Sequence, residues 1–159
     1  RSALKKADAL IKQQPNYAYF HELRADTLMK ANRPADAVKA YQTAIKLDPS
    51  KSTVLRVLLG QALLAGGSEA GAKKAVQEIS SALERDKDNI AGYRYLAQAY
   101  GQLGEVAMAD LSIAEGYFYS ASYQDAKQFA MRAQQKMKRG SPGWLRAQDI
   151  LQFRAPKKK

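Results

Sequence analysis

The sequence predicts an all-α chain of stacked antiparallel helix hairpins. Three observations carry that prediction. Apolar and small residues recur at helical spacing along nearly the whole chain, and no window alternates with the period of two that a half-buried strand requires. Helix-breaking residues return at short intervals. One arrangement of small and large apolar residues also occurs three times in the same order, about 34 residues apart.

The spacing predicts helices over 2–13, 16–31, 34–47, 51–66, 70–86, 89–103, 105–120, 122–138 and 142–153. Between them stand Pro15-Asn16, Asn32-Arg33-Pro34, Asp48-Pro49-Ser50, Gly66-Gly67-Ser68, Asp88-Asn89, Gly104, Ser122 and Gly140-Ser141-Pro142. Pro34 and Pro142 fall at helix starts, where the missing N–H would be unpaired in any case. Ser141, directly before Pro142, is placed to cap the last helix.

The repeat is clearest in Tyr93-x-x-Leu96-Ala97-x-x-Tyr100, then Gly104, then Ala109-x-x-x-Ile113. Ala97 on the first helix and Ala109 on the second let the two approach closely. Tyr93, Leu96 and Tyr100 fill the space between hairpins. Ala25, Leu28, Ala37, Tyr41, Ala44 and Pro49 hold corresponding places in an earlier copy, as do Leu59, Gly60, Leu63, Ala75, Ile79 and Ala82 in the middle one. The middle copy is longer, and its excess is expected in the turn Gly66–Gly71. After Ile113 the phase changes. Ala126, Ala130 and Ala133 suggest that the helix over 122–138 packs on that over 105–120, which then serves two hairpins. Trp144, Leu145, Ile150 and Leu151 mark a closing helix.

This spacing resembles the tetratricopeptide pattern, and the resemblance implies a right-handed α-α superhelix. The expected organisation is a single domain, 1–159. It starts with a half repeat at 1–15, followed by repeats at 16–50, 51–88 and 89–121. C-terminal helices and a cap occupy 122–155, and a basic tail occupies 156–159.

A chain of 159 residues can bury a core without covalent staples. Its hydrophobic fraction of 46% and only 5 prolines mark it as ordered. The absence of cysteine excludes disulfides, thiolate metal sites and cysteine nucleophiles. The net charge of +11 attracts anionic surfaces, with local runs at Lys136–Arg139 and Lys157–Lys159. No apolar run reaches the length of a membrane span. The chain begins at Arg1, already in a helical pattern, and is expected to be a piece of a longer protein.

Signatures of chemistry are few. His21-Glu22 opens like the zinc-peptidase motif His-Glu-x-x-His, but Ala25 stands where the second histidine would be, and the chain has no other. A catalytic zinc usually takes three protein ligands, so no catalytic, metal or cofactor site is expected here. No Gly-x-Ser-x-Gly elbow frames a serine, and the Gly66–Gly71 turn, Gly101 and Gly104 lack a phosphate-loop pattern. Asp86/Asp88 and Glu22/Asp26 read as surface charges. Tyr93, Tyr95, Tyr100, Tyr117, Phe118, Tyr119 and Tyr123 read mainly as filling between hairpins.

A partner is expected on the face lined by the first helix of each hairpin. The polar and aromatic residues in register there are Tyr19, Glu22, Asp26 and Lys30 in the first full repeat, Gln61 in the second, and Arg94 and Gln98 in the third. Their mixed signs do not make a clamp for acidic peptides alone.

A finer resemblance lies in the segments Asn16–Asp26 and Asn32–Ala37, in Ala114-Glu115 with Tyr123-x-Asp125-Ala126, and above all in Arg139-Gly140-Ser141-Pro142-Gly143-Trp144-Leu145-Arg146-Ala147-Gln148-Asp149-Ile150-Leu151. These resemble the C-terminal repeat region of BepA-like bacterial zinc metallopeptidases. That family carries its zinc and its His-Glu-x-x-His in an N-terminal domain that this chain lacks. The resemblance implies a non-catalytic, periplasmic module of envelope protein quality control. It would bind substrate proteins, the parent's own peptidase domain or outer-membrane assembly machinery. The competing expectation is a free-standing basic scaffold for nucleic acid or an anionic membrane. Of these two, the membrane is the better fit, since each lysine of the tail adds about 1 kcal/mol at such a surface.

Overall fold

The computed structural model describes residues 2–157. Arg1 of the half repeat and Lys158 and Lys159 of the basic tail lie outside the described residues. Among the described residues there are nine α-helices and no strand: α1 (Ser2–Gln13), α2 (Ala18–Lys30), α3 (Pro34–Leu47), α4 (Thr53–Ala65), α5 (Glu69–Arg85), α6 (Ile90–Gln102), α7 (Val106–Tyr119), α8 (Tyr123–Gln135) and α9 (Pro142–Gln152). The chain divides into two compact units, with the boundary between Arg85 and Asp86.

In the first unit α1 packs on α2, α2 pairs with α3, α3 packs on α4, and α4 pairs with α5. The core is built from alanine as much as from leucine. Ala25, Leu28, Ala37, Ala40, Tyr41, Ala44, Leu55, Leu59 and Ala62 form one buried cluster. Small side chains on facing helices keep the axes close, and the larger ones interdigitate in the remaining space. Arg24 on α2 binds Asp8 on α1 at 2.7 Å, and Arg56 on α4 binds Glu78 on α5 at 3.0 Å.

In the second unit α6 pairs with α7, α7 with α8, and α8 with α9, which also touches α7. Leu111, Ala114, Ala126, Ala130, Ala133, Ala147 and Ile150 form its buried cluster. The helix α7 is therefore the second helix of one hairpin and the first of the next. Ser141 caps α9 by accepting the Trp144 N–H at 3.4 Å, with Pro142 in the first turn. Arg146 ties α9 to α7. It donates to Glu115 at 2.7 Å and to the Tyr119 hydroxyl at 3.3 Å, and it lies 5.3 Å from the centre of the Phe118 ring.

One turn recurs in four hairpins. Three residues separate the helices, and the middle one has positive φ: Asn32 at 57°, Gly67 at 73°, Gly104 at 72° and Ala121 at 62°. At three of the four, the next residue's N–H reaches back to the helix end at 2.9 Å: Arg33 to Leu28, Glu105 to Tyr100 and Ser122 to Tyr117. This pair of features is a Schellman ending, which satisfies carbonyls that the last helical turn leaves open. Asn and Gly take the left-handed conformation readily, whereas alanine pays about 1–2 kcal/mol for it. Ala121→Gly is accordingly expected to stabilise the second unit by about 0.5–1 kcal/mol, after allowing for the greater freedom of unfolded glycine. Urea denaturation followed by the fluorescence of Trp144, which lies in that unit, measures this. A loss of stability would show that the turn is not strained at Ala121.

The structure moves two sequence-based expectations. The surplus of the middle repeat does not enlarge its turn. Gly66-Gly67-Ser68 spans three residues, as does Ala31-Asn32-Arg33, and Glu69, Ala70 and Gly71 already belong to α5. Instead α5 has 17 residues against 14 in α3. Counted from the shared turn, Ala72 takes the place of Ala37, Ala75 that of Ala40 and Ile79 that of Ala44. The extra turn of helix is therefore at the end of α5, where Leu83 is buried. The second difference is at α8, which stops at Gln135 and not at 138. Its last carbonyls are taken by the N–H groups of Lys136 and Met137, and the chain then turns through Gly140 at φ 82°.

Candidate functional site

Each unit has an open groove. In the first unit the groove has a volume of about 520 Å³ and lies between the start of α2 and the loop from α3 to α4. Tyr17, Tyr19 and Glu22 line it from one side, and Asp48, Ser50 and Ser52 from the other. Local geometry holds this wall in place. His21 donates from Nε2 to the Pro15 carbonyl at 2.7 Å, which fixes the turn before α2. The Tyr17 ring then meets Phe20 edge to face at 4.7 Å and stands 6.2 Å from Tyr19.

The opposite wall is an Asx-type turn. Asp48 accepts the Ser52 N–H at 2.7 Å, the Ser50 N–H at 3.0 Å and the Ser50 hydroxyl at 2.7 Å. These bonds, led by that from the Ser52 backbone, hold its carboxyl below the usual range. Glu22 moves the other way. Partial burial raises its carboxyl first, and the nearby charges of Asp26 and Asp48 add to this.

In the second unit a groove of about 510 Å³ is lined by Ile90, Tyr93, Arg94 and Ala97 of α6, by Ile113, Gly116 and Tyr117 of α7, and by Ser120. It is largely apolar, and Arg94 is its one charged lining residue. Tyr93 is buried at its floor and stacks on Tyr119 at 5.4 Å. Burial, then the charge of Glu115, pushes its phenol well above the usual tyrosine range.

The residues expected to face a partner sort as follows. Tyr19 and Glu22 line the first groove and Arg94 lines the second. Asp26 is half-buried and accepts the Tyr41 hydroxyl of α3 at 2.5 Å, so it also holds the hairpin together. Lys30 and Gln98 are exposed and Gln61 is half-buried on their helices, and none of the three lines either groove. Sequence reasoning missed Tyr17 and Ser52, which it placed in helices, Asp48, which it read as a breaker, Ile90, to which it gave no role, and Tyr117, which it read mainly as filling between hairpins. The one usable signal was the run Tyr17-x-Tyr19-Phe20, too aromatic for a helix start that buries only one side. The aromatic residues of the second unit are only partly filling, since Tyr117 remains 36% exposed.

No group of three or more His, Asp or Glu side chains among the described residues is arranged to hold a metal ion. No helix among them is long and apolar enough to cross a membrane.

The tetratricopeptide repeat profile matches residues 1–52 and again 23–80, together half of the chain. The chain belongs to the tetratricopeptide repeat family. No curated protein matches it in sequence. Among solved structures, the repeat chain is similar to two crystal structures of MamA. The first is 18% identical with a TM-score of 0.69, covering 93% of this chain and 82% of that one. The second is 17% identical with a TM-score of 0.68, covering 93% and 80%. At these identities the likeness is one of fold, and it supports the all-α hairpin architecture. Tetratricopeptide repeats are, as a fold, scaffolds for protein–protein contact.

Proposed function

We propose that this repeat domain is the partner-binding module of a bacterial periplasmic zinc metallopeptidase, presenting client proteins or envelope partners to a catalytic domain elsewhere in the protein. The observation that carries the binding role is the groove of the first unit. Its two tyrosines, Tyr17 and Tyr19, stay about half exposed beside the acidic Glu22 and Asp48. The peptidase parentage is supported by the sequence resemblance of Asn16–Asp26 and of the closing helix with its Ser141-Pro142 start. In this reading His21 contributes structure only, because its Nε2 is engaged by Pro15.

Two measurements test the two halves of the reading. A photo-crosslinking amino acid at Tyr19 or Arg94, which line the two grooves, in the full-length protein in its own cells, is expected to give discrete protein adducts. The same probe at Lys39 or Lys74, exposed on second helices, is expected to give none. Equal labelling from both sets would overturn the groove as the binding face. The full reading frame is expected to encode a His-Glu-x-x-His helix and to support zinc-dependent proteolysis. A frame without it would end the peptidase assignment and leave the interaction scaffold standing.

A further inference from the structure

We infer that the groove of the first unit takes a lysine or arginine side chain from the partner polypeptide. This rests on the binding role proposed above and gives it a chemistry. The starting observation is a cavity walled by aromatic rings that folding has not covered. Tyr17 is 50% and Tyr19 is 55% exposed, although each is held in place by ring contacts with its neighbours. Both line the groove.

The second observation is the sign of the charge inside it. The charged residues lining the groove are Glu22 and Asp48, both acidic, in a chain whose net charge is +11. Neither makes an ion pair among the described residues, and Asp26, one turn beyond Glu22, accepts a hydroxyl and not a cation. Elsewhere in this unit carboxylates do find cations, as in Asp8 with Arg24 and Glu78 with Arg56. The groove thus brings together two carboxylates, Glu22 and Asp48, without a counterion.

The third observation concerns the simplest counterion, a metal ion. The carboxylates of the groove do not converge into a metal-binding group. An organic cation on a long stem meets the geometry. Its methylenes lie along the tyrosine rings, and its charged head faces both the ring surfaces and the Glu22 and Asp48 carboxylates. The groove of the second unit, with Arg94 as its charged residue, has the opposite sign and serves as an internal control.

The test is a titration of the isotope-labelled chain with acetylated, amidated hexalysine, hexaglutamate and hexaserine, read by amide chemical shifts at near-physiological ionic strength. Hexalysine is expected to shift Tyr17, Tyr19, Glu22 and Ser50 and to leave the Arg94 groove unchanged. Glu22→Gln, which keeps the shape, is expected to weaken this about tenfold, and Tyr19→Ala about threefold. Both positions are at least partly exposed, so the variants should fold, and the spectra themselves report it. Equal shifts from hexaserine or hexaglutamate at the same residues would overturn the cation assignment while leaving a binding groove. An unchanged affinity in Glu22→Gln would overturn it as well. If no peptide shifts the groove, the inference fails, and crosslinking at Arg94 decides the binding role independently.

Discussion

Gly60→Val is expected to destabilise the first unit by about 3 kcal/mol, the upper end of what overpacking a core costs. Gly60 is buried in α4 against Ile79 of α5, which has no exposed surface. A Cβ at this position would lie 2.5 Å from Ile79 Cδ1 and closer still to Cγ1. Ile79 is enclosed on all sides and has nowhere to retreat. Gly60→Ala should cost less, because alanine recovers about 1 kcal/mol of helix propensity. Valine recovers little of that and adds two methyl groups. Chemical denaturation followed by circular dichroism measures the loss. The decisive control is the pair: Gly60→Val combined with Ile79→Ala should be more stable than the sum of the two single losses predicts, with a coupling above about 1 kcal/mol. A Gly60→Val chain within about 0.5 kcal/mol of the parent would show that this helix contact is not close.

Lys136→Met is expected to cost the second unit about 2–3 kcal/mol. The side chain of Asp110 on α7 is 8% exposed, and its cation is Lys136, at 2.8 Å just past the end of α8. Removing the ammonium leaves a buried carboxylate unpaired, which is costlier than the pair is worth. Lys136 is itself 44% exposed, so water reaches the site and the loss stays below that of a fully enclosed pair. Lys136→Met with Asp110→Asn should recover most of the stability, because the amide has no charge to strand. Trp144 is the chain's single tryptophan and lies in this unit, so its fluorescence follows the transition. An unchanged midpoint for Lys136→Met alone would mean that Asp110 finds another partner or water at no cost.

Both predictions depend on contacts between residues distant in sequence, and they mark where sequence reading succeeds and where it stops. Gly60 and Ile79 were legible as packing positions because the repeat places a small residue opposite a large one. Asp110 and Lys136 were not, since nothing in the local pattern pairs an acid on one helix with a lysine 26 residues later. Tyr19, Glu22 and Arg94 were legible as groove positions from register alone. The Asp48 wall was not, because a Pro-containing breaker gives no sign that its carboxylate lies near Glu22. Asp26 was legible as polar on the partner-facing side, but its bond to Tyr41 depends on how α3 lies across α2.

What the sequence determined by itself was the set of helices, the small residues at their crossings and the absence of a second histidine beside His21. These follow from short-range rules: a period of 3.6 residues, the conformational limits of Gly and Pro, and the ligand count of zinc. The tertiary structure alone decided that Ala121 takes the left-handed turn found at Asn32, Gly67 and Gly104, and that an acidic aromatic groove stands open in a basic chain. Alanine has no intrinsic preference for that turn. It is held there because α7 and α8 bury Ala114, Ala126, Ala130 and Ala133 in one cluster, which outweighs about 1 kcal/mol of local strain.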